Sequence, residues 1–224
     1  MISIKVSCLT STLLFVINNL SFSQDLWPIK TNINDVIALA DCEEWTEVKN
    51  NGHLKFNSRW LAFGDTLKTR QITLEFTTTS NRCQIIQLFN DPIHLLKWND
   101  GIRNADILMG NDSTSIVHIT YDIPYPFAQQ DLVLKNNIHE NKNQDYTVSI
   151  CAMPDFIQTV PDVNRQRNYF AQWQIKKNKG NEVKVYFTAI SFAKSKIPRW
   201  IRDPILQYKL FKSFETLRKM TLQN

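Results

Sequence analysis

Nine segments of this chain alternate apolar and polar residues in the manner of β-strands, and the last runs into one long amphipathic helix. The segments are residues 45–49, 53–61, 67–78, 105–109, 115–123, 131–138, 146–153, 168–176 and 182–192, and the helix spans 203–222. Turn chemistry joins them: Asn50-Asn51-Gly52, Gly110-Asn111-Asp112 and Asn178-Lys179-Gly180 offer the positive φ that tight hairpins require. A sheet of that size has an apolar face to hide. A lone helix after it has one place to go, which is against that face. The wrap encloses either a packed core or space for a ligand.

The helix carries the right stripe for this. At about 100° per residue, Leu206, Leu210, Phe214, Leu217 and Met220 fall within an arc of about 120°. Lys209, Lys212, Glu215 and Lys219 lie outside it. A short helix capped near Asn34 and another starting at Ser80 or Asn81 and closing at Asp91-Pro92 complete the set, with one more turn over 94–98. The layout is α+β with a mostly antiparallel sheet, in one domain from residue 24 to residue 224.

Residues 1–23 read as a secretory leader rather than as fold. Lys5 gives a positive start, an apolar run of about 13 residues follows from Cys8 to Leu20, and Ser21-Phe22-Ser23 supplies small residues before Gln24. Cleavage near Ser23-Gln24 predicts an extracytoplasmic protein, periplasmic or secreted. Cys42, Cys83 and Cys151 match no zinc or redox spacing. They read as small buried residues, and which pair would bridge, if any did, is open. The net charge is +5 and its basic residues are scattered except for a cluster over 199–219. Nucleic acid would demand a denser stripe. An anionic membrane surface is a better match for the cluster.

Strand phasing places Trp60, Val117, Ile119, Tyr121, Ile150, Tyr169, Trp173, Val185 and Phe187 on the inner face. Ile72, Leu74 and Phe76 share one side of their strand, and Arg70 is in phase with them. A bare buried guanidinium is costly, so Arg70 either reaches water or a structural carboxylate or orients a ligand headgroup. Catalysis finds little footing. The four histidines show no metal-ligand pair, and there is no nucleophile elbow or phosphate-cradling glycine loop. No catalytic residue, metal or cofactor is assigned.

Several segments together resemble one family. Tyr121-Asp122-Ile123-Pro124-Tyr125-Pro126-Phe127-Ala128-Gln129-Gln130-Asp131 resembles the segment of START (steroidogenic acute regulatory protein-related lipid transfer) domains in which a proline-bearing loop leads into Arg-Asp and a strand. Residues 167–173, then 183–188, then Ile197-Pro198-Arg199-Trp200 resemble that family's closing hairpin and its entry to the last helix; Trp98 fits as well. The resemblance runs from about Asn32 to Met220. Gln130 stands where the family usually has Arg, and Ala193-Lys194 where a glycine is common, departures that touch polar contacts rather than the fold.

The resemblance implies a helix-grip fold, a curved antiparallel sheet around the C-terminal helix, enclosing a tunnel for a lipid or other hydrophobic small molecule. It makes the loop from Pro124 to Gln130 a lip, with Tyr125 and Phe127 as gate residues. The expected ligand-binding set is Trp60, Arg70, Ile72, Leu74, Tyr121, Phe127, Trp173, Phe187, Leu206 and Leu210. Arg199, Trp200 and Arg202 are expected to dock the gate on a membrane. The leading expectation is a noncatalytic, monomeric carrier. Its rivals are a helix-grip enzyme of cyclase or hydrolase type, which needs His118, Asp131 or Tyr121 clustered in the cavity, and a structural module with a filled core.

Overall fold

The computed structural model describes residues 32–123, 128–192 and 199–223, apart from the side chains of Arg199 and Ile201. All nine expected strands are present, together with two short ones. In chain order they are β1 (Asp41–Cys42), β2 (Thr46–Asn50), β3 (Leu54–Phe63), β4 (Leu67–Thr78), β5 (Ile102–Gly110), β6 (Thr114–Tyr121), β7 (Gln129–Glu140), β8 (Tyr146–Ala152), β9 (Val163–Arg165), β10 (Tyr169–Lys177) and β11 (Val183–Ser191). The helices are α1 (Ile33–Ile37), α2 (Arg82–Asn90), α3 (Pro92–Trp98) and α4 (Arg199–Gln223). The strands form one sheet in the order β1-β3-β4-β11-β10-β8-β7-β6-β5, with β2 also on β3 and β9 on β7. Every pairing is antiparallel except β7 with β9.

Local chemistry sets the boundaries. Gly52, at φ +82°, turns β2 into β3, while the Asn51 carboxamide oxygen accepts from the backbone N–H groups of His53 and Leu54. Asn81 caps α2 by accepting from the Cys83 N–H. Asp91 ends that helix and caps the next through the Ile93 N–H, with Pro92 at the first helical position where its missing donor costs nothing.

Period-two alternation gives the sheet two apolar faces. The inner one carries the main core, from Leu54, Phe56, Leu74 and Phe76 through Val185, Phe187 and Trp173 to Val117 and Ile119, and is covered by α2, α3 and α4. The outer one carries Leu61, Cys151, Phe170 and Ile190, covered by Ile33 and Val36 of α1. Two readings are corrected here. Cys42 and Cys83 are exposed free thiols, and only Cys151 is buried. Helix α4 begins at Arg199, ahead of the expected start at 203, and takes Pro204 inside.

The outer face also carries a buried ion cluster. Asp131, 1% exposed, accepts from Arg165 Nε at 2.7 Å and Nη2 at 2.6 Å, and lies 2.9 Å from His118 Nε2. Arg165 Nη1 donates to the carbonyls of Pro154 and Ile157, which ties the loop before β9 to the sheet. Burial pushes the Asp131 carboxyl up, but the Arg165 and His118 hydrogen bonds and charges outweigh it and hold it below its ordinary value of 3.8. A carboxyl depressed in the folded state stabilises the fold above its unfolded pKa, and that stability is lost as pH falls through the lower folded value. Asp131→Asn strands the Arg165 charge and should cost about 3–5 kcal/mol at neutral pH. Urea unfolding checks this, and the gap between wild type and variant should narrow as the medium is made acidic.

Candidate functional site

One half of the space between sheet and helix is full. Five aromatic rings from α2, α3, β10, β11 and α4 pack into a plug. Phe89 stacks on Trp173 at 4.5 Å, and Phe214 lies 5.4 Å from Trp173 on a nearly parallel plane. Trp98 meets Trp173 and Phe214 edge-on at 6.2 and 5.9 Å, and Phe187 tilts against both at 4.6 and 5.2 Å. The buried Trp98 N–H donates to the Leu88 carbonyl at 2.6 Å, so the plug leaves its indole satisfied. Beyond it, Phe211, Phe214 and Leu217 of α4 are buried.

The other half is built differently. Next to the Leu74–Phe187–Trp173 row across the sheet comes a row of Ile72, Ala189, Ala171 and Ile150. Two of its central side chains are single methyl groups, those of Ala189 and Ala171, and both are buried. Further along the strands the same face carries Arg70, Ser191, Tyr169 and, on β6, Tyr121. Both tyrosines are half-buried against the core. Burial pushes the Tyr121 phenol up to about 12, and raises Tyr169 further with the help of Tyr121 nearby. On α4, Leu210 is half-buried against the core and Leu206 is 48% exposed.

The expected site residues therefore separate into groups. Leu74, Trp173 and Phe187 belong to the packed wall. Ile72, Tyr121 and Leu210 are partly buried and packed against that core. Trp60 and Arg70 pair across β3 and β4 at the rim, in a cleft of about 420 Å³ that also takes in Glu43, Glu44, Arg59 and Gln207. The Arg70 guanidinium lies 4.5 Å from the Trp60 ring centre and 3.4 Å from the Asp203 carboxylate of α4. Asp203 also pairs with Arg202 at 3.0 Å. Arg70 thus has its carboxylate partner within the fold.

Leu206 is a correction: it was expected on the inner stripe, yet the stripe rotates toward Phe211, Ser213 and Thr221, each 2% exposed or less. The reason is local. Ser213 accepts from the Asp100 N–H at 3.0 Å and the Thr221 carbonyl accepts from Thr78 at 3.3 Å, so polar anchors set the helix rotation. Trp200 is 78% exposed. Tyr125 and Phe127 fall outside the described residues, as do residues 1–23.

Sequence reasoning did not single out Ala171, Ala189 or Asn136, although all three are in inward phase with residues it did. The acid–base candidates are divided by the sheet. His118 and Asp131 sit on the outer face, while Tyr121 sits on the inner one. Among the described residues no three His, Cys, Asp or Glu side chains gather as a metal site, and no helix is long and apolar enough to cross a membrane.

The two halves of α4 should respond differently to truncation. Phe214→Ala should lower stability by about 3–5 kcal/mol, whereas Leu206→Ala should change it by less than about 0.5 kcal/mol. Urea titration of both variants reads the contrast.

No family model and no curated protein matches the sequence. Solved structures do match. A STAR-related lipid transfer protein fragment from Xanthomonas axonopodis superposes with a TM-score of 0.70 at 18% identity, over 80% of this chain and 99% of that one. Human StAR-related lipid transfer protein 5 gives 0.63 at 9% identity, over 79% and 86%. The Zhui aromatase/cyclase of Streptomyces sp. R1128 gives 0.50 at 8%, over 68% and 93%. At such identities what is shared is the path of the backbone, and this chain has the START-like helix-grip fold.

Proposed function

We propose that this protein is a noncatalytic, extracytoplasmic carrier that holds a lipid or other hydrophobic small molecule between its sheet and α4. The observation that carries the reading is the change in side-chain size along the grip. Five aromatic rings close one half, while the other has an alanine floor at Ala171 and Ala189 and a covering helix whose Leu206 is exposed. Ligand burial there would contribute about 25 cal/mol for each Å² of apolar surface taken from water. The backbone likeness to lipid transfer proteins supports the same reading. The extracytoplasmic part rests on the leader-like residues 1–23.

Filling the floor tests it. Ala189→Phe occupies the space a ligand would need, so the variant should fold with near-wild-type stability and lose uptake of a fluorescent lipid from vesicles. A fully packed core gives the opposite result: strain of about 1–3 kcal/mol or more and no uptake by wild type either.

The enzyme alternative has a backbone neighbour in the aromatase/cyclase. It needs an acid or base in the grip. His118 and Asp131 lie across the sheet from that space, bound to each other and to Arg165, which supports binding over catalysis.

The membrane part of the proposal rests on the first turns of α4. Trp200, Ile205, Leu206 and Tyr208 are exposed there, at 78%, 53%, 48% and 62%. An indole among apolar side chains suits the membrane interface. Arg202 contributes less than its charge suggests, because Asp203 pairs with it. Trp200→Ala should weaken co-sedimentation with anionic vesicles several-fold without changing the melting temperature; unchanged co-sedimentation would remove this surface from the account.

A further inference from the structure

Outside the grip, a second place on the protein gathers charge of one sign. Along α4, Tyr208, Lys212, Glu215, Thr216 and Lys219 recur every three or four residues, so they share one face of the helix. The edge strand β2 adds a fourth cationic or acidic position to that face by an irregularity in its pairing. Its register with β3 slips between Glu47 and Lys49: Glu47 faces Asn57, whereas Lys49 faces Phe56. An unbroken register would set Lys49 opposite Lys55, on the side of the strand where Lys55 pairs with Glu47 at 3.7 Å. The bulge at Val48 instead gives Lys49 the inward phase of Phe56, and re-aiming a side chain is a recurrent use of bulges. The Lys49 ammonium ends 4.2 Å from the ring centre of Phe211 on α4.

These α4 side chains, Phe211 and Lys49 line one cleft of about 250 Å³. Three ammonium groups meet there with a single carboxylate. That carboxylate, Glu215, accepts from Asn51 Nδ2 at 2.7 Å, which ties it to the turn after β2. Among the described residues none of the three lysines forms an ion pair. The Thr216 hydroxyl is spent on the Lys212 carbonyl at 3.1 Å. Like charges gathered without counter-charges repel one another, so a bulge that brings a third lysine to the other two calls for an anion from outside.

Size and charge narrow its class. The cleft is smaller than the roughly 300 Å³ at which sites for drug-sized ligands begin, which suits a compact group rather than a whole amphiphile. Three cations against one carboxylate leave an excess of two positive charges. A phosphate monoester carries about −1.5 to −2 at pH 7 and matches that excess better than a carboxylate or a phosphodiester does. Lysine binds phosphate as a point charge, so such a site needs no glycine loop.

We propose that this cleft is a site for a phosphate monoester group, held by Lys49, Lys212 and Lys219. The group arrives either on a lipid headgroup or on a soluble phosphate ester, and the chemistry recognised is the same. The site lies outside the grip and does not depend on what the grip holds.

The test has two arms, both on the full protein at neutral pH. In the first, co-sedimentation is measured with phosphatidylcholine vesicles carrying phosphatidic acid, a monoester, or phosphatidylglycerol, a diester, at matched surface charge. In the second, glycerol 3-phosphate is titrated by calorimetry. A lipid source predicts about tenfold tighter binding to the phosphatidic acid vesicles. A soluble source predicts a saturable isotherm and no preference between vesicles. In whichever arm responds, Lys212→Gln with Lys219→Gln should lower affinity about tenfold, and Lys49→Gln alone several-fold. All three lysines are exposed, so the melting temperature should stay at the wild-type value. Lys97→Gln with Arg103→Gln makes the same charge change on α3 and on β5, at the far edge of the sheet. It should alter affinity by less than about twofold, because screening limits the reach of exposed charges. Absence of both the vesicle preference and calorimetric binding overturns the proposal. So does an equal loss in the Lys97 and Arg103 variant, which would mark attraction by net charge alone.

Discussion

Everything in this fold depends on how one helix covers one face of a sheet too wide for it. The sheet turns an apolar face inward along nearly its full width, and α4 crosses it as a single rod. Contact is concentrated where rings meet. Phe214 is inserted among Trp98, Trp173 and Phe187 at centroid distances of 5.2 to 5.9 Å. Aromatic side chains each bury roughly 150–250 Å², so this one cluster fixes the helix against the sheet. Because the helix is held at that end, its other end need not be packed. That freedom leaves Leu206 exposed.

Electrostatics reinforces the division between the faces. On the outer side, Asp131, Arg165 and His118 form a buried, fully engaged cluster that joins β6, β7 and β9. Its members saturate one another, as buried charges must, and the sheet separates them from the grip. On the inner side the ion pair of Arg70 with Asp203 ties the start of α4 to β4. Asp203 shares its carboxylate with Arg202 there.

Much of the fold was legible because strands announce themselves by alternation. The bounds of β4 follow to the residue from its pattern, and Asn81 and Asp91 mark the helix caps by chemistry alone. The two strands that went unseen, β1 and β9, are two and three residues long. Nothing periodic can be read from so few positions, and β9 is held by Arg165 reaching Asp131 across 34 positions of sequence. The helix stripe failed at Leu206 and missed Phe211 for a related reason. Apolarity alone places the stripe, whereas the polar anchors at Ser213 and Thr221 turn the helix in the structure. On the inner face, phase placed Arg70, Ile72 and Tyr121. It passed over Ala171 and Ala189, because a small residue in the right phase looks like weak core until its neighbours across the sheet are known. The Asp203 partner of Arg70 was equally out of reach, since the pairing exists only once α4 lies on β4.

The central claim is that the grip holds a ligand rather than its own side chains. Native mass spectrometry of the intact purified protein, with solvent extraction of the same sample, tests it most directly. The account predicts a protein ion heavier than the chain by the mass of an apolar molecule, which the extract also contains. A bare-chain mass with an empty extract, together with no mass gain after incubation with neutral lipid, would contradict it.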